Sequence, residues 1–214
     1  MNTTPTICIV DYGVGNLYSA VKAFKQFSSH VIVTEEATDI RSADALVLPG
    51  VGAFEAGMQG LKVRGLDGAV VEFAQSGKSM FGICLGAQIM MSKGYEFGEF
   101  DGLGLITGDV VGFSAPAPGT KVPHIGWNEI AEPTAGQWQG TIFKGIQSAA
   151  DSVYFVHSFI FKPTEPETIL ATTRYGGQDF CSVFRKDNIY GCQFHPEKSG
   201  QVGLVIIKNF VELI

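Results

Sequence analysis

Positive charge is scarce in this chain. Its 214 residues carry 15 Lys and Arg against 21 Asp and Glu, a formal net charge of -6, and the basic residues are scattered rather than clustered. That balance argues against a nucleic-acid backbone as the main ligand, because binding phosphates needs a basic face. Cysteine is sparse too: Cys8, Cys84, Cys181 and Cys192 lie far apart, no CxxC pair occurs, and no two histidines stand at i, i+4 spacing. A disulfide framework and a structural zinc site therefore have little to build on, so we read the thiols as reduced and assign neither metal nor cofactor. Long apolar runs are missing, with nothing near the ~18 residues of a membrane span, and MNTTPTICIV has no basic residue before its short apolar stretch. A soluble cytoplasmic protein that uses neither membrane nor nucleic acid is expected. Repeats and low-complexity tracts are absent as well.

What is present suits one globular domain over 1–214. Hydrophobic residues make up 45% and charged residues 17%, and a chain of this length buries roughly 70% of its unfolded surface without staples. The apolar run at 6–11, TICIVD, leads into the glycine loop Tyr12-Gly13-Val14-Gly15, and Asn16 is placed to cap a helix whose stripe is Leu17, Ala20, Val21, Phe24 and Phe27. Further strands are expected over 30–34, 45–48 and 79–83, with helices over 54–61, 66–75 and 85–91. Strand and helix in alternation predict a parallel sheet covered on both faces. Beyond Gly94 the pattern changes to strands over 103–106, 109–113, 121–130, 153–161, 169–173, 180–184 and 189–194, with antiparallel signals such as the turn Lys186-Asp187-Asn188. A last helix is expected to carry Val202, Val205, Ile206, Phe210 and Leu213 on one face. Residues 132–139 read only as a loop.

The stretch GICLGAQ at 82–88 sits at the predicted strand-to-helix turn. Gly82-Ile83-Cys84-Leu85-Gly86 has the form of a nucleophile elbow, in which a cramped backbone is tolerable only if the neighbours lack side chains. A cysteine there is also a good space-filling core residue. Four histidines could act as its base: His30, His124, His157 and His195. His195 lies in Gln193-Phe194-His195-Pro196-Glu197, where Pro196 biases it toward extended backbone. In an extended segment Glu197 would fall on the same side as His195 and could fix its tautomer. A surface turn around Pro196 is the alternative. Thiol, imidazole and carboxylate together form a triad defined by roles rather than by positions.

With these residues in hand, the chain resembles the class I glutamine amidotransferases, and among them the glutaminase subunits that serve histidine biosynthesis. The matching stretches are DYGVGN at 11–16, LPGVGAF at 48–54, GICLGAQ at 82–88, GLGLI at 102–106, KVPHIGWNE at 121–129, YFVHSF at 154–159 and QFHPEKS at 193–199. The resemblance implies a flavodoxin-like, mostly parallel central sheet flanked by helices, with added antiparallel strands. It implies that Cys84 attacks the side-chain amide of L-glutamine, that His195 carries the proton to ammonia and that Glu197 orients the ring. Leu85 and the loop Gly50-Val51-Gly52 would supply the oxyanion hole, where one donor is typically worth ~3 kcal/mol. Gln88, Glu96 and Ser158 would contact glutamine. A (β/α)8-barrel cyclase subunit would receive the ammonia as a heterodimer partner, meeting Asn16, Pro123, His124, Trp127 and Lys198. Phe159, where such proteins often have tyrosine, lacks one pocket hydroxyl.

Three readings compete with this one, the first a non-catalytic binding subunit on the same fold, against which intact Cys84, His195 and Glu197 argue. Gly13-Val14-Gly15, with Glu35 about twenty residues on, is a partial dinucleotide-binding fingerprint, interrupted by Tyr18 at its third glycine position. A related subunit that sends ammonia to a modified sugar would keep the same glutamine-contacting residues.

Overall fold

A computed structural model describes residues 5–15, 17–113 and 117–214. Asn16, expected both as a helix cap and at a partner surface, lies outside the described residues. Strands β1 (Ile7–Val10), β2 (Val31–Thr34), β3 (Ala45–Gly50) and β4 (Ser79–Cys84) alternate with helices α1 (Leu17–Phe24), α2 (Ala37–Ser42), α3 (Phe54–Val63) and α4 (Asp67–Gln75). Side chains alternate across each strand, and in β1, β3 and β4 both sides are buried. Ile7, Ile9, Val47, Phe81 and Ile83 join the core beneath α1, whereas Cys8, Val10, Leu46, Leu48 and Met80 join the core beneath α2, α3 and α4. Strands lined by apolar residues on both sides are what a covered parallel sheet requires.

After the short helix α5 (Leu85–Gln88) come β5 (Met91–Gly94), β6 (Phe100–Asp101), β7 (Ile106–Gly112), β8 (His124–Glu129), β9 (Ser152–His157), β10 (Phe159–Pro163), β11 (Ile169–Tyr175), β12 (Gln178–Lys186) and β13 (Ile189–Cys192). Helix α6 (Gly200–Glu212) follows. Among the described residues the main sheet has the order β2-β1-β3-β4-β13-β12-β10-β7-β5-β6, with β11 on β12. Its parallel half runs from β2 to β13, and β12, β10 and β7 continue it antiparallel. The expected mostly parallel sheet with antiparallel additions is present. No helix among the described residues is long and apolar enough to cross a membrane.

Several boundaries differ from the sequence expectation. The helix expected over 85–91 stops at Gln88, because Met91–Gly94 pairs with β7 and β6 instead. The single strand expected over 153–161 is two. It breaks at Ser158: β9 pairs only with β8 in a separate two-stranded ribbon, while β10 enters the main sheet. Leu103 to Leu105 is not a strand but folds back, with the Leu103 and Leu105 amides bonded to the carbonyls of Ile89 and Met90. Helix α6 buries Gly203, Ile206, Ile207 and Phe210, and Leu213 lies outside that face, 42% exposed.

Residues 132–139 belong to a turn-rich segment that is firmly held. The Trp138 indole donates to the Leu170 carbonyl at 2.7 Å and packs on Phe143, while Asn209 of α6 donates to the carbonyls of Ile142 and Lys144.

Candidate active site

The parallel strands β3, β4 and β13 end at one edge, and register explains what meets there. Gly50 is opposite Cys84, and Cys192 is opposite Ile83. The loop after β3, the turn after β4 and the segment after β13 therefore converge, which is where open α/β sheets hold ligands.

Cys84 joins β4 to α5 at φ 52°, ψ -111°, a conformation that L-residues adopt only at a cost of about 1–3 kcal/mol. Both flanking glycines are dictated by space. A Cβ on Gly82 would lie 2.7 Å from the Ala87 Cα, and one on Gly86 would overlap the Leu48 carbonyl oxygen. Backbone cannot move aside cheaply, so Gly86→Ala is expected to lower stability by about 3 kcal/mol. Chemical denaturation of the variant and the native chain checks this, and an unchanged midpoint would contradict the fit.

His195 is held behind the cysteine. Its backbone N–H donates to the Tyr154 carbonyl at 2.9 Å, and Ser199 Oγ donates to the His195 carbonyl at 2.6 Å while accepting from the Tyr154 N–H at 2.9 Å. The ring Nδ1 meets Glu197 Oε1 at 2.9 Å, with the two side chains only 2% and 3% exposed. The pairing was expected from a continuous extended segment. The backbone is extended only at His195, and Pro196–Lys198 forms a 3-10 turn that brings Glu197 back beside the ring.

Burial lowers the imidazole pKa, but the Cys84 thiol and the Glu197 carboxylate outweigh it, and the net value rises from 6.5 to about 9. Both neighbours thus favour the imidazolium form of the ring. A group raised in this way contributes stability that is fully present below 6.5 and lost as pH rises through about 9. Activity that needs the imidazolium should fall over the same upper limb. Glu197→Gln should move that limb to lower pH, because Glu197 is one of the groups raising the value. Steady-state rates against pH for both chains test this, with the limb read as a property of the coupled pair; a limb that does not move on substitution rules out the carboxylate's role.

A cavity of about 350 Å3 opens at Cys84, lined by Val51, Gly52, Gln88, Glu96, Ser158 and others, a size at the small end for ligand sites. The structure thus gathers the expected nucleophile, part of the expected oxyanion loop and all three expected glutamine contacts at one hollow. Glu96 accepts the Phe54 N–H at 2.8 Å through one carboxylate oxygen. Leu85 is fully buried as the first residue of α5. Gly50 packs so closely beneath the Tyr12 hydroxyl that a side chain there would collide with it. Among the described residues no cluster of three or more His, Cys, Asp or Glu could hold a metal ion.

The residues expected to face a partner divide. Trp127 is 58% exposed and Ile125 60%, and Val122 and Lys198 are exposed as well. Trp127 lies over Gly200, at the start of α6. Pro123 is exposed but lines the cavity. His124 is a correction: it is 2% exposed, its ring stacked between Tyr175 and Phe155, and it presents no surface to a partner. Alternation along β8 points it inward while Ile125 and Trp127 point out.

Sequence reasoning gave Gln193 no role and considered His157 as a possible base, not by name as a wall of the pocket. His157 lines the cavity, and Gln193 Nε2 lies 3.6 Å from the Cys84 sulfur. The dinucleotide reading fails on packing. The Arg64 guanidinium stands where a Gly13 side chain would go, Gly15 packs on the Gly50 backbone, and Glu35 pairs with Arg64 at 3.1 Å.

Comparison with known proteins agrees with this geometry. The family model for glutamine amidotransferase class-I matches residues 8–213. The imidazole glycerol phosphate synthase subunit HisH 1 of Legionella pneumophila (strain Lens) is 50% identical over 214 residues, covering 97% of this chain and 99% of that protein. The HisH subunit of Moorella thermoacetica is 43% identical over 208 residues, covering 97% and 95%. Among solved structures, PurLQS from Thermotoga maritima superposes with a TM-score of 0.71 at 16% identity over 98% of this chain and 99% of that one, and a glutamine amidotransferase with 0.72 at 18% identity over 96% and 97%. Those two likenesses concern the fold. With the family model covering nearly the whole chain and relatives this similar, the protein belongs to the class I glutamine amidotransferases.

Proposed function

We propose that this chain is the glutaminase subunit of an imidazole glycerol phosphate synthase, hydrolysing L-glutamine and passing the ammonia to a (β/α)8-barrel cyclase subunit for histidine biosynthesis. One observation carries the chemistry: a cysteine on a strained elbow, opening to a cavity, with a buried His195–Glu197 pair behind it. The HisH names of relatives up to half identical over nearly the whole chain support the pathway.

In this reading the Cys84 sulfur attacks the glutamine side-chain carbonyl carbon, and the C=O π pair moves to oxygen. N–H groups of Leu85 and of the Gly50-Val51-Gly52 loop receive that oxyanion. His195, as imidazolium, delivers its proton to the departing nitrogen, so ammonia leaves as the C–N bond breaks and a thioester remains. Water attacks the thioester, His195 takes the water proton, and glutamate departs as the C–S bond breaks. Gln88, Glu96 and Ser158 hold the amino-acid end of the substrate. Glu197 keeps the ring's Nδ1 occupied so that Nε2 faces the chemistry.

Trp127, Ile125, Pro123 and Lys198 form the docking face, exposed apolar side chains with one cation, of the kind that marks a protein interface. A cytoplasmic location accompanies this reading, and the four buried, unpaired cysteines are compatible with it.

The test is to purify the chain with its co-expressed barrel subunit, identify that subunit, and measure glutamate release with the cyclase substrate present. Release of glutamate, coupled to product formation by a cyclase, is expected. Undetectable hydrolysis in that complex, or a co-purifying subunit that acts on a different acceptor, overturns the assignment.

A further inference from the structure

The mechanism above leaves one buried polar side chain at the nucleophile without a task. Gln193, two residues before His195, has no exposed surface, and its side chain lies between Cys84 and Gln88. Its backbone N–H is bonded to the Ser182 carbonyl at 2.9 Å, so its position is set by the β12–β13 side of the sheet.

The direction of its hydrogen bonds can be deduced. The Phe159 carbonyl can only accept, and the Gln88 amide faces it at 3.4 Å. The Gln88 group turned toward Phe159 must therefore be the NH2, since an oxygen there would oppose another oxygen. The same NH2 meets the Gln193 side chain at 3.1 Å, which requires the Gln193 oxygen on that side. The Gln193 NH2 is then left facing the Cys84 sulfur at 3.6 Å. A main-chain carbonyl, acting through two amides, thus fixes a donor on the sulfur.

We propose that Gln193 is a positioning residue for the nucleophile, its polarity-locked amide donating to the Cys84 sulfur and so favouring and aiming the thiolate. This deepens the glutaminase reading and rests on it. Other groups also act electrostatically on the sulfur: His195 with Glu197 behind it, Tyr12 beneath the Gly50 loop and Cys192 on β13. Burial pushes the Tyr12 hydroxyl and the Cys192 thiol far up, so both stay neutral over the working range. Gln193 has no proton to lose, so its contribution is constant with pH, unlike that of His195.

The experiment is the rate of Cys84 alkylation by iodoacetamide against pH, read on the Cys84 peptide by mass spectrometry in the full chain. Gln193→Leu removes the donor, and Gln193→Glu replaces it with an acceptor of the same size. Both should raise the midpoint by about one pH unit, making alkylation below it about tenfold slower, with Gln193→Glu shifted at least as far. Glutamine hydrolysis should lose kcat with KM nearly unchanged. A midpoint equal to the native one in a folded variant overturns the proposal. Should both variants fail to fold, the native chain decides the matter: the Gln193 side-chain amide NMR resonances should titrate with the alkylation midpoint and lose that titration in Cys84→Ser. Resonances that ignore the sulfur overturn it as well. The underlying glutaminase reading fails on a different result, hydrolysis that survives Cys84→Ala.

Discussion

Cys84→Ala is expected to fold as the native chain does and to hydrolyse glutamine at least about 10⁴-fold more slowly, equivalent to roughly 5.5 kcal/mol of transition-state stabilisation. The size of the loss follows from the unit character of the site. His195 and Glu197 hold and release a proton only for a sulfur that forms and breaks a bond. With the sulfur gone, the oxyanion donors and the glutamine contacts can accelerate only direct attack by water. Structural damage should be slight, because alanine keeps the Cβ and the elbow's strained φ of 52° while giving up one atom at a cavity wall. Glutamate release by the complex, beside a thermal melt of each chain, separates the two effects. Near-native hydrolysis in a folded Cys84→Ala chain would remove the thiol from the mechanism altogether.

Trp127→Asp should weaken binding to the barrel subunit by about 2–4 kcal/mol, some 30- to 1000-fold in Kd, since large aromatics at the middle of an interface carry most of its energy. Trp127 is more than half exposed, shares the outer side of β8 with Ile125, and its ring contacts Tyr154 and Gly200 at its edge. Introducing a charge on that patch places an unpaired carboxylate in an apolar contact, while the fold beneath loses little. Calorimetric titration of the partner into each chain measures the difference, with the melting temperature as the control. Equal affinities would move the docking face elsewhere on the molecule.

The parts of the fold that were legible in the sequence are those whose signals are local. β1, β3 and β4 are buried on both sides and so appear as largely apolar runs, with a glycine inside or soon after each. The elbow was legible because its two glycines answer a steric demand only a few residues long. The dipeptide step from His195 to Glu197 was legible as a pairing, although the turn that brings them together was not. What escaped depends on distant partners. Residues 89–91 look like the continuation of a helix, but pairing of Met91–Gly94 with β7 and β6 makes a strand begin at Met91. Helix α2 buries a single residue, Ile40, and so leaves no periodic stripe to read. His124 stands in a segment that resembles a docking surface, yet alternation along β8 turns its ring inward. Gln193 stands within a matching stretch but shows no task there, because its partners Gln88 and Cys84 lie more than a hundred residues away.

Ser158 has a mechanical consequence. The ribbon of β8 and β9 carries Trp127 on its outer side, while its inner end supplies Val156 and His157 to the cavity wall. It joins the main body at the Ala131–Thr172 bridge, at Ser158, whose carbonyl accepts the Phe113 N–H at 3.4 Å, and between them at Tyr154, which bonds His195 and Ser199. The strand that walls the substrate hollow is therefore braced by the same bonds that place the imidazole, so outer tryptophan, cavity wall and catalytic base share one scaffold.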